Sequence, residues 1–250
     1  MMFFQIEVTT HCTFTCFYCA GREMPQRHMG WPVFEMVLGR IPPGPHSVSL
    51  QGEGEPTLHP RFWEMVSRVR ERGLAPTTIT NGYELDAGRV AAELPTVAVS
   101  IDTLDEAEAT RIGRLKLPRV LANLDALSAA MGPERIRIMT VDYGQDLEPV
   151  RRFVKAGRFG QHIVQPLQGK DDYARRYPDR VTQGGAYHYR CRFLLAPVMR
   201  YYDIDGRELP CCYIKDTSSF RSIDALASDL GRGVVSPACA GCREIMHQAS

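Results

Sequence analysis

Eight cysteines carry most of the chemical information in this 250-residue chain. Three of them, Cys12, Cys16 and Cys19, are separated by three and then two residues. Three thiolates leave one iron of a four-iron cluster without a protein ligand, and that open position is where chemistry happens. The same set also reads as zinc with His11 as a fourth donor, or as three unrelated buried thiols. The remaining cysteines fall in the last sixty residues: Cys191, Cys211, Cys212, and the pair Cys239-Ala240-Gly241-Cys242. A Cys-x2-Cys pair plus two distant cysteines makes a four-thiolate site for zinc or an iron–sulfur cluster, and spacing alone does not choose between them. One of the eight is then left over.

These residues must be positioned by regular elements. Short apolar strands are expected near residues 3–8, 47–51, 76–80, 96–101, 135–141 and 161–165, with amphipathic helices near 32–40, 60–73, 84–93, 117–131 and 145–157. Strands that alternate with helices imply an α/β fold with a parallel sheet, because parallel neighbours need a crossover connection. Cys12 then sits on the loop after the first strand. After about residue 167 the alternation stops at a polar stretch, Gln168 to Pro178. A hairpin follows, running from Pro197 through a turn at Ile204-Asp205-Gly206-Arg207 to Pro210-Cys211-Cys212. A short helix near 222–230 and the cysteine-bearing tail complete the chain. The expected division is a β/α domain over 1–168 and a small cysteine-rich unit over 169–250.

Composition narrows the function classes. The 30 basic and 29 acidic residues give a formal charge of +1, so no large field draws the chain to nucleic acid or to a membrane. With 44% hydrophobic and 24% charged residues the chain is an ordinary globule, not a disordered or fibrous one. The start, Met1-Met2-Phe3-Phe4-Gln5-Ile6-Glu7-Val8, has no basic segment ahead of an apolar one, and no stretch approaches eighteen consecutive apolar residues. The expected location is cytoplasmic, where thiols serve as metal ligands more often than as structural disulfides.

The run Cys12-Thr13-Phe14-Thr15-Cys16-Phe17-Tyr18-Cys19, with an aromatic residue before its third cysteine, resembles the signature of the radical S-adenosylmethionine (SAM) superfamily. The resemblance implies a partial TIM barrel, (β/α)6, in which Cys12, Cys16 and Cys19 hold a [4Fe-4S] cluster. SAM chelates the open iron there, and one-electron reduction releases a 5′-deoxyadenosyl radical. It also implies a reductant such as flavodoxin or ferredoxin. Glu53-Gly54-Glu55-Pro56 resembles the family's Gly-Gly-Glu-Pro segment, with Glu53 in place of the first glycine. Tyr18, Gly54, Glu55, Asn81, Ser100, Asp102 and Gln165 are accordingly the cofactor-binding candidates, and Leu167 joins Gln165 as a frame for the adenine. Each of the strand-end residues also reads simply as a polar terminus or a helix cap.

The later cysteines resemble the shortened auxiliary-cluster module known as a twitch domain, a reduced form of the SPASM domain. That likeness assigns Cys191, Cys211, Cys239 and Cys242 to a second [4Fe-4S] cluster. Cys212 is the remaining thiol, read as a small buried hydrophobe, as a substitute ligand for Cys211, or as a catalytic hydrogen-atom donor. Radical SAM enzymes of aminoglycoside assembly, epimerases and 2-deoxy-scyllo-inosamine dehydrogenase, share this architecture. They imply a polyhydroxylated or amino-sugar substrate that loses a carbinol hydrogen. Cys212 favours epimerisation, while the loop Gln165 to Lys170 offers no arginine as a base for dehydrogenation. Asp171, Asp172, Asp203 and Asp216 are candidates to pair with a substrate ammonium. Peptide modification is the other enzymatic class, disfavoured because eleven residues ahead of Cys12 leave no room for a leader-binding domain. A zinc-binding interaction module is the non-enzymatic alternative.

Overall fold

The structure, a computed structural model, describes residues 2–19, 21, 24–167, 187–196 and 198–249. Strand β1 (Phe3–Ile6) pairs in parallel with β2 (Ser47–Leu50), which pairs with β3 (Ala75–Thr77). A second parallel set runs β4 (Ile79–Thr80), β5 (Val97–Ser100), β6 (Ile136–Asp142) and β7 (Gln161–Pro166). The expected third strand is therefore split at Thr78. Buried Thr78 closes the gap itself, because its hydroxyl donates to the Leu50 carbonyl at 2.6 Å and its own carbonyl accepts the Ala98 N–H at 2.9 Å. The wall thus follows chain order from β1 to β7.

Helices α1 (Trp31–Arg40), α2 (Phe62–Glu71), α3 (Ala87–Glu93), α5 (Leu117–Met131) and α6 (Glu148–Gly157) alternate with these strands. The buried residues of α5 are Leu117, Val120, Leu124, Leu127 and Met131, spaced three or four apart so that one stripe faces the sheet. Val120, Leu124, Leu127 and Met131 meet Ile6, Leu50, Val99 and Ile138 from the strands in one apolar core. Each such fully buried side chain stabilises the fold by about 1.5–3 kcal/mol.

Along β1 the alternation is informative. Phe4, Ile6 and Val8 enter this core, while Gln5 and Glu7 point to the opposite face. Both polar residues are nevertheless buried, so the second face is the barrel interior and not solvent. Polar groups enclosed there need partners, and they form the floor of the site described below.

The helices depart from the sequence reading at several starts; α3 and α6 each begin three residues later than expected, at Ala87 and Glu148. Helix α2 begins two residues after Pro60, because Pro56 opens a separate short turn (Pro56–Leu58) and the His59 ring accepts the Arg61 N–H at 3.0 Å. A helix that the hydrophobic period did not announce, α4 (Glu106–Arg111), lies between β5 and α5, capped by the Asp105 carboxylate on the Glu108 N–H.

The expected hairpin is present as β9 (Met199–Tyr202) and β10 (Glu208–Leu209), antiparallel to each other. Gly206 has φ +75°, and the Asp203 carboxylate accepts the N–H groups of Asp205 and Arg207, which fixes the turn. Strand β9 also pairs in parallel with β1, so the hairpin extends the barrel's own sheet. Strands β8 (Tyr187–Cys191) and β11 (Ile245–Ala249) form a separate antiparallel pair, and α7 (Arg192–Leu195) and α8 (Ile223–Gly231) complete this part. Among the described residues no helix is long and apolar enough to cross a membrane. Gln168, Lys170, Asp171 and Asp172 lie outside the described residues.

Candidate active site

The three amino-terminal thiols open onto one cavity of about 300 Å3 at the carboxyl ends of the strands. Its lining includes Cys12, Cys16, Cys19, Tyr18, Gly54, Glu55, Asn81, Ser100, Asp102, Gln165 and Leu167. Every cofactor-binding candidate named from sequence is thus brought to one enclosure. Cys212, Tyr213 and Lys215 reach the same cavity from the carboxyl-terminal segment.

The cysteine loop is held from two sides. Gly54 lies against it so closely that an added Cβ would come within 2.5 Å of the His11 carbonyl oxygen and 2.6 Å of that of Thr9. Only glycine permits this approach. On the other side, Thr15 N–H donates to the Gly113 carbonyl at 3.0 Å and Phe17 N–H to that of Ile112 at 3.1 Å, so the chain after α4 clamps the loop through its main chain. The Asn81 amide adds a side-chain tie, donating to Thr13 Oγ1 at 3.0 Å and, more distantly, to Cys12 Sγ at 3.8 Å.

Glu55 is fully enclosed, and burial pushes its carboxyl above the usual carboxylate range despite its hydrogen bonds. One oxygen accepts from the hydroxyls of Thr57 and Thr80 at 2.7 and 2.8 Å; the other accepts the Asn81 N–H at 2.6 Å. The carboxylate therefore joins the β2 loop to the end of β4 and retains acceptor capacity for a ligand ammonium.

Asp102 is buried beneath the loop. Tyr18 Oη donates to its carboxylate, as do Arg114 Nη1 at 2.8 Å and the Val141 N–H at 2.7 Å. Arg114 Nη2 also donates to the Ser100 carbonyl at 2.6 Å. Burial alone would pull the guanidinium down, but Asp102 and Tyr18 hold it above its ordinary range. Asp102 and Ser100 thus serve first to fix the loop through Arg114, a residue that sequence reasoning did not single out. The available clue was physical: a strand-end aspartate that becomes buried needs a cation.

Glu53, at the position where the segment departs from two glycines, is paired with Lys215 and approaches Cys19 Sγ at 3.5 Å. Burial opposes the Lys215 charge, yet Glu53, Cys212 and Glu7 together hold the ammonium above the usual lysine range. Asp203 and Asp216 do not reach the cavity lining: Asp203 is occupied in the hairpin turn, and the Asp216 carboxylate accepts the Ser218 N–H.

The second cysteine group is organised differently. None of the eight cysteines is in a disulfide. Cys191, Cys211 and Cys239 are buried in one apolar cluster with Phe193, Leu209, Ile214, Leu226 and Leu230. Cys242 lies one turn after Cys239, its N–H donating to the Cys239 carbonyl at 3.1 Å. Ile245, three residues further on, is opposite Cys191 in the β11–β8 register, which returns the tail to the first of these thiols. Cys211 is buried in the apolar cluster, whereas Cys212 packs against that cluster and also lines the cavity.

The family model of the radical SAM superfamily matches residues 6–156, which contain the cysteine loop and five of the helices around it. The chain belongs to the radical SAM superfamily. Among curated relatives it is 34% identical over 152 residues to GTP 3′,8-cyclase of Edwardsiella ictaluri, covering 56% of this chain and 46% of that protein. It is also 34% identical over 86 residues to a tungsten-containing aldehyde ferredoxin oxidoreductase cofactor-modifying protein of Pyrococcus furiosus, covering 33% of this chain and 24% of that one. The chain thus spans between a quarter and about half the length of these relatives. Among solved structures, Streptococcus suis SuiB bound to its precursor peptide SuiA superposes with a TM-score of 0.66 at 16% identity, over 92% of this chain and 64% of that one. BtrN in an open conformation gives 0.50 at 13% identity, over 98% and 96%. Both likenesses show the fold.

Membership in the radical SAM superfamily implies a [4Fe-4S] cluster and SAM. The residues present fit both. Three thiols face one cavity of about 300 Å3 and leave room beside them for a small-molecule ligand. Burial pushes the thiols of Cys12, Cys16 and Cys19 up, so ligation must release their protons. Gly54, Glu55 and Asn81 present main-chain and side-chain polar groups beside them, suited to an amino acid's ammonium and carboxylate.

Proposed function

We propose that this protein is a radical SAM epimerase acting on a carbinol carbon of an aminoglycoside, sugar or aminocyclitol, with Cys212 as the hydrogen-atom donor. Cys12, Cys16 and Cys19 hold the SAM-binding cluster, and Cys191, Cys211, Cys239 and Cys242 hold an auxiliary [4Fe-4S] cluster in a twitch-like domain over 169–250. When bound, the cluster and SAM supply a primary-carbon radical able to take hydrogen from a C–H bond.

The observation that carries this reading is the access of Cys212 to the cavity, which Cys211 does not line. Cys212 lines the cavity that the three amino-terminal thiols also line, while its neighbour packs in the apolar cluster with Cys191 and Cys239. In this reading the Cys212 thiol offers its S–H to a carbon radical from the second face. The new C–H bond forms as the S–H bond breaks, leaving a thiyl radical. One electron from a flavodoxin- or ferredoxin-class carrier and one proton from solvent restore the thiol. Gln5, Gln51, Tyr213 and Lys215 also line the cavity and are hydrogen-bonding residues suited to hydroxyl and amino substituents. Thiolate cluster ligands of this kind suit a reducing compartment such as the cytoplasm.

The test is Cys212→Ala with iron measured alongside turnover. Retained iron, continued 5′-deoxyadenosine formation and no epimer support the donor role. Loss of about half the iron makes Cys212 a ligand. Turnover to a ketone by both forms identifies an alcohol dehydrogenase instead, and turnover only on a peptide identifies a peptide-modifying enzyme.

A further inference from the structure

Gln51 follows β2 directly and is more than nine-tenths buried, yet its Oε1 is the one enclosed side-chain nitrogen or oxygen among the described residues without a hydrogen-bond partner. The residue lines the cavity. Its main chain is fixed, since its N–H donates to the Ile6 carbonyl at 3.0 Å and its carbonyl accepts from Gln5 Nε2 at 3.5 Å. A buried acceptor with nothing to accept from is disfavoured in the resting fold, and such groups persist where a ligand supplies the missing donor.

Which ligand does so follows from the placement. Glu55, Asn81, Ser100 and Asp102, which line the cavity with the cysteine loop, come from the β2 loop and the ends of β4 and β5. Gln51 instead belongs to the flank formed with β1, where Gln5 stands beside it and Lys215 and Cys212 enter from the carboxyl-terminal segment. We propose that Gln51 is a specificity-determining residue for the substrate: its amide oxygen accepts an O–H or N–H from a ring substituent and so orients the reacting carbon. This rests on the reading of the substrate as polyhydroxylated or amino-substituted, and it adds that the substituent at this point must be a donor. A methyl ether or a deoxy position would leave the acceptor unsatisfied, and such sites discriminate strongly against ligands that lack the donor.

The experiment compares the wild-type holoprotein with Gln51→Met, anaerobic and saturated with SAM, by thermal unfolding with and without 2-deoxystreptamine or myo-inositol as probes. Methionine conserves volume and removes the acceptor. The wild type is expected to rise by about 2–4 °C with at least one probe near tenfold its dissociation constant. Gln51→Met is expected to melt at the same or a higher temperature than the wild type when no probe is present. Its probe response is expected to vanish at the same concentration, an affinity loss of about 10- to 100-fold. An equal response in the variant overturns the assignment. So does a variant that melts several degrees lower without probe, because the oxygen is then satisfied within the fold. A wild type that responds to neither probe contradicts the proposed substrate class itself, and the role of Gln51 falls with it.

Discussion

Arg114 and Asp102 form a buried ion pair beneath the cysteine loop, with Nη1 2.8 Å from Oδ2 and side chains 11% and 1% exposed. Because the same guanidinium also donates to the Ser100 carbonyl, one residue from the loop after α4 fixes β5 and, through Tyr18, the segment bearing Cys16 and Cys19. Arg114→Ala leaves Asp102 enclosed without its cation. The expected cost is about 3–5 kcal/mol of stability, measured by denaturant unfolding of the anaerobic protein. Asp102→Asn combined with Arg114→Met is expected to recover part of that loss, since neither partner is then a stranded charge.

Gly54→Ala tests the contact between the β2 loop and the cysteine loop. An added Cβ would meet two main-chain carbonyl oxygens well inside van der Waals distance, and neither is the end of a flexible side chain. The loop must shift, so iron retained by the first cluster is expected to fall while the carboxyl-terminal iron is unchanged. Iron analysis in a Cys191→Ala background isolates this effect.

Removal of the proposed auxiliary ligands separates Cys212 from its neighbours. Cys191→Ala, Cys211→Ala, Cys239→Ala and Cys242→Ala are each expected to lower iron from about eight to about four per chain, with SAM cleavage retained. Colourless anaerobic protein binding zinc at these positions would contradict the cluster assignment.

Glu7 gives a pH dependence. Burial raises its carboxyl above the ordinary glutamate value, with Lys215 and the Glu53 N–H only partly offsetting the effect. The folded state thus binds the proton more tightly than the unfolded chain. The stability from this group is full below the unfolded pKa and is lost as pH rises through the folded value. Glu7→Gln removes that loss. Its stability relative to the wild type is therefore expected to increase as pH rises above the ordinary glutamate value, measured by urea unfolding at several pH values.

Much of this was legible before the structure, for reasons tied to particular residues. Strand alternation with helices and the placement of Cys12 after β1 follow from local pattern, and ligand residues of parallel sheets gather at strand ends whatever the details of packing. This is why Glu55, Asn81, Ser100, Asp102 and Gln165 converge. Helix α4 carried a signal that the hydrophobic period did not show, namely Asp105 as a cap with glutamates in the first turn and Arg111 in the last. Arg114 and Lys215 were not legible, because their partners are 12 and 162 residues away. The addition of β9 beside β1 and the β8–β11 pair depend likewise on contacts between distant segments, which no local pattern encodes. The different destinations of Cys211 and Cys212 follow from those same contacts.

The central claim is that Cys212 returns hydrogen to the substrate carbon. The most direct measurement is the reaction run in deuterium oxide, with the product analysed for mass and configuration. The account predicts one deuterium at an inverted carbon, because a thiol exchanges with solvent before it donates. A product lighter by two hydrogens, or an inverted carbon carrying no deuterium, would contradict it.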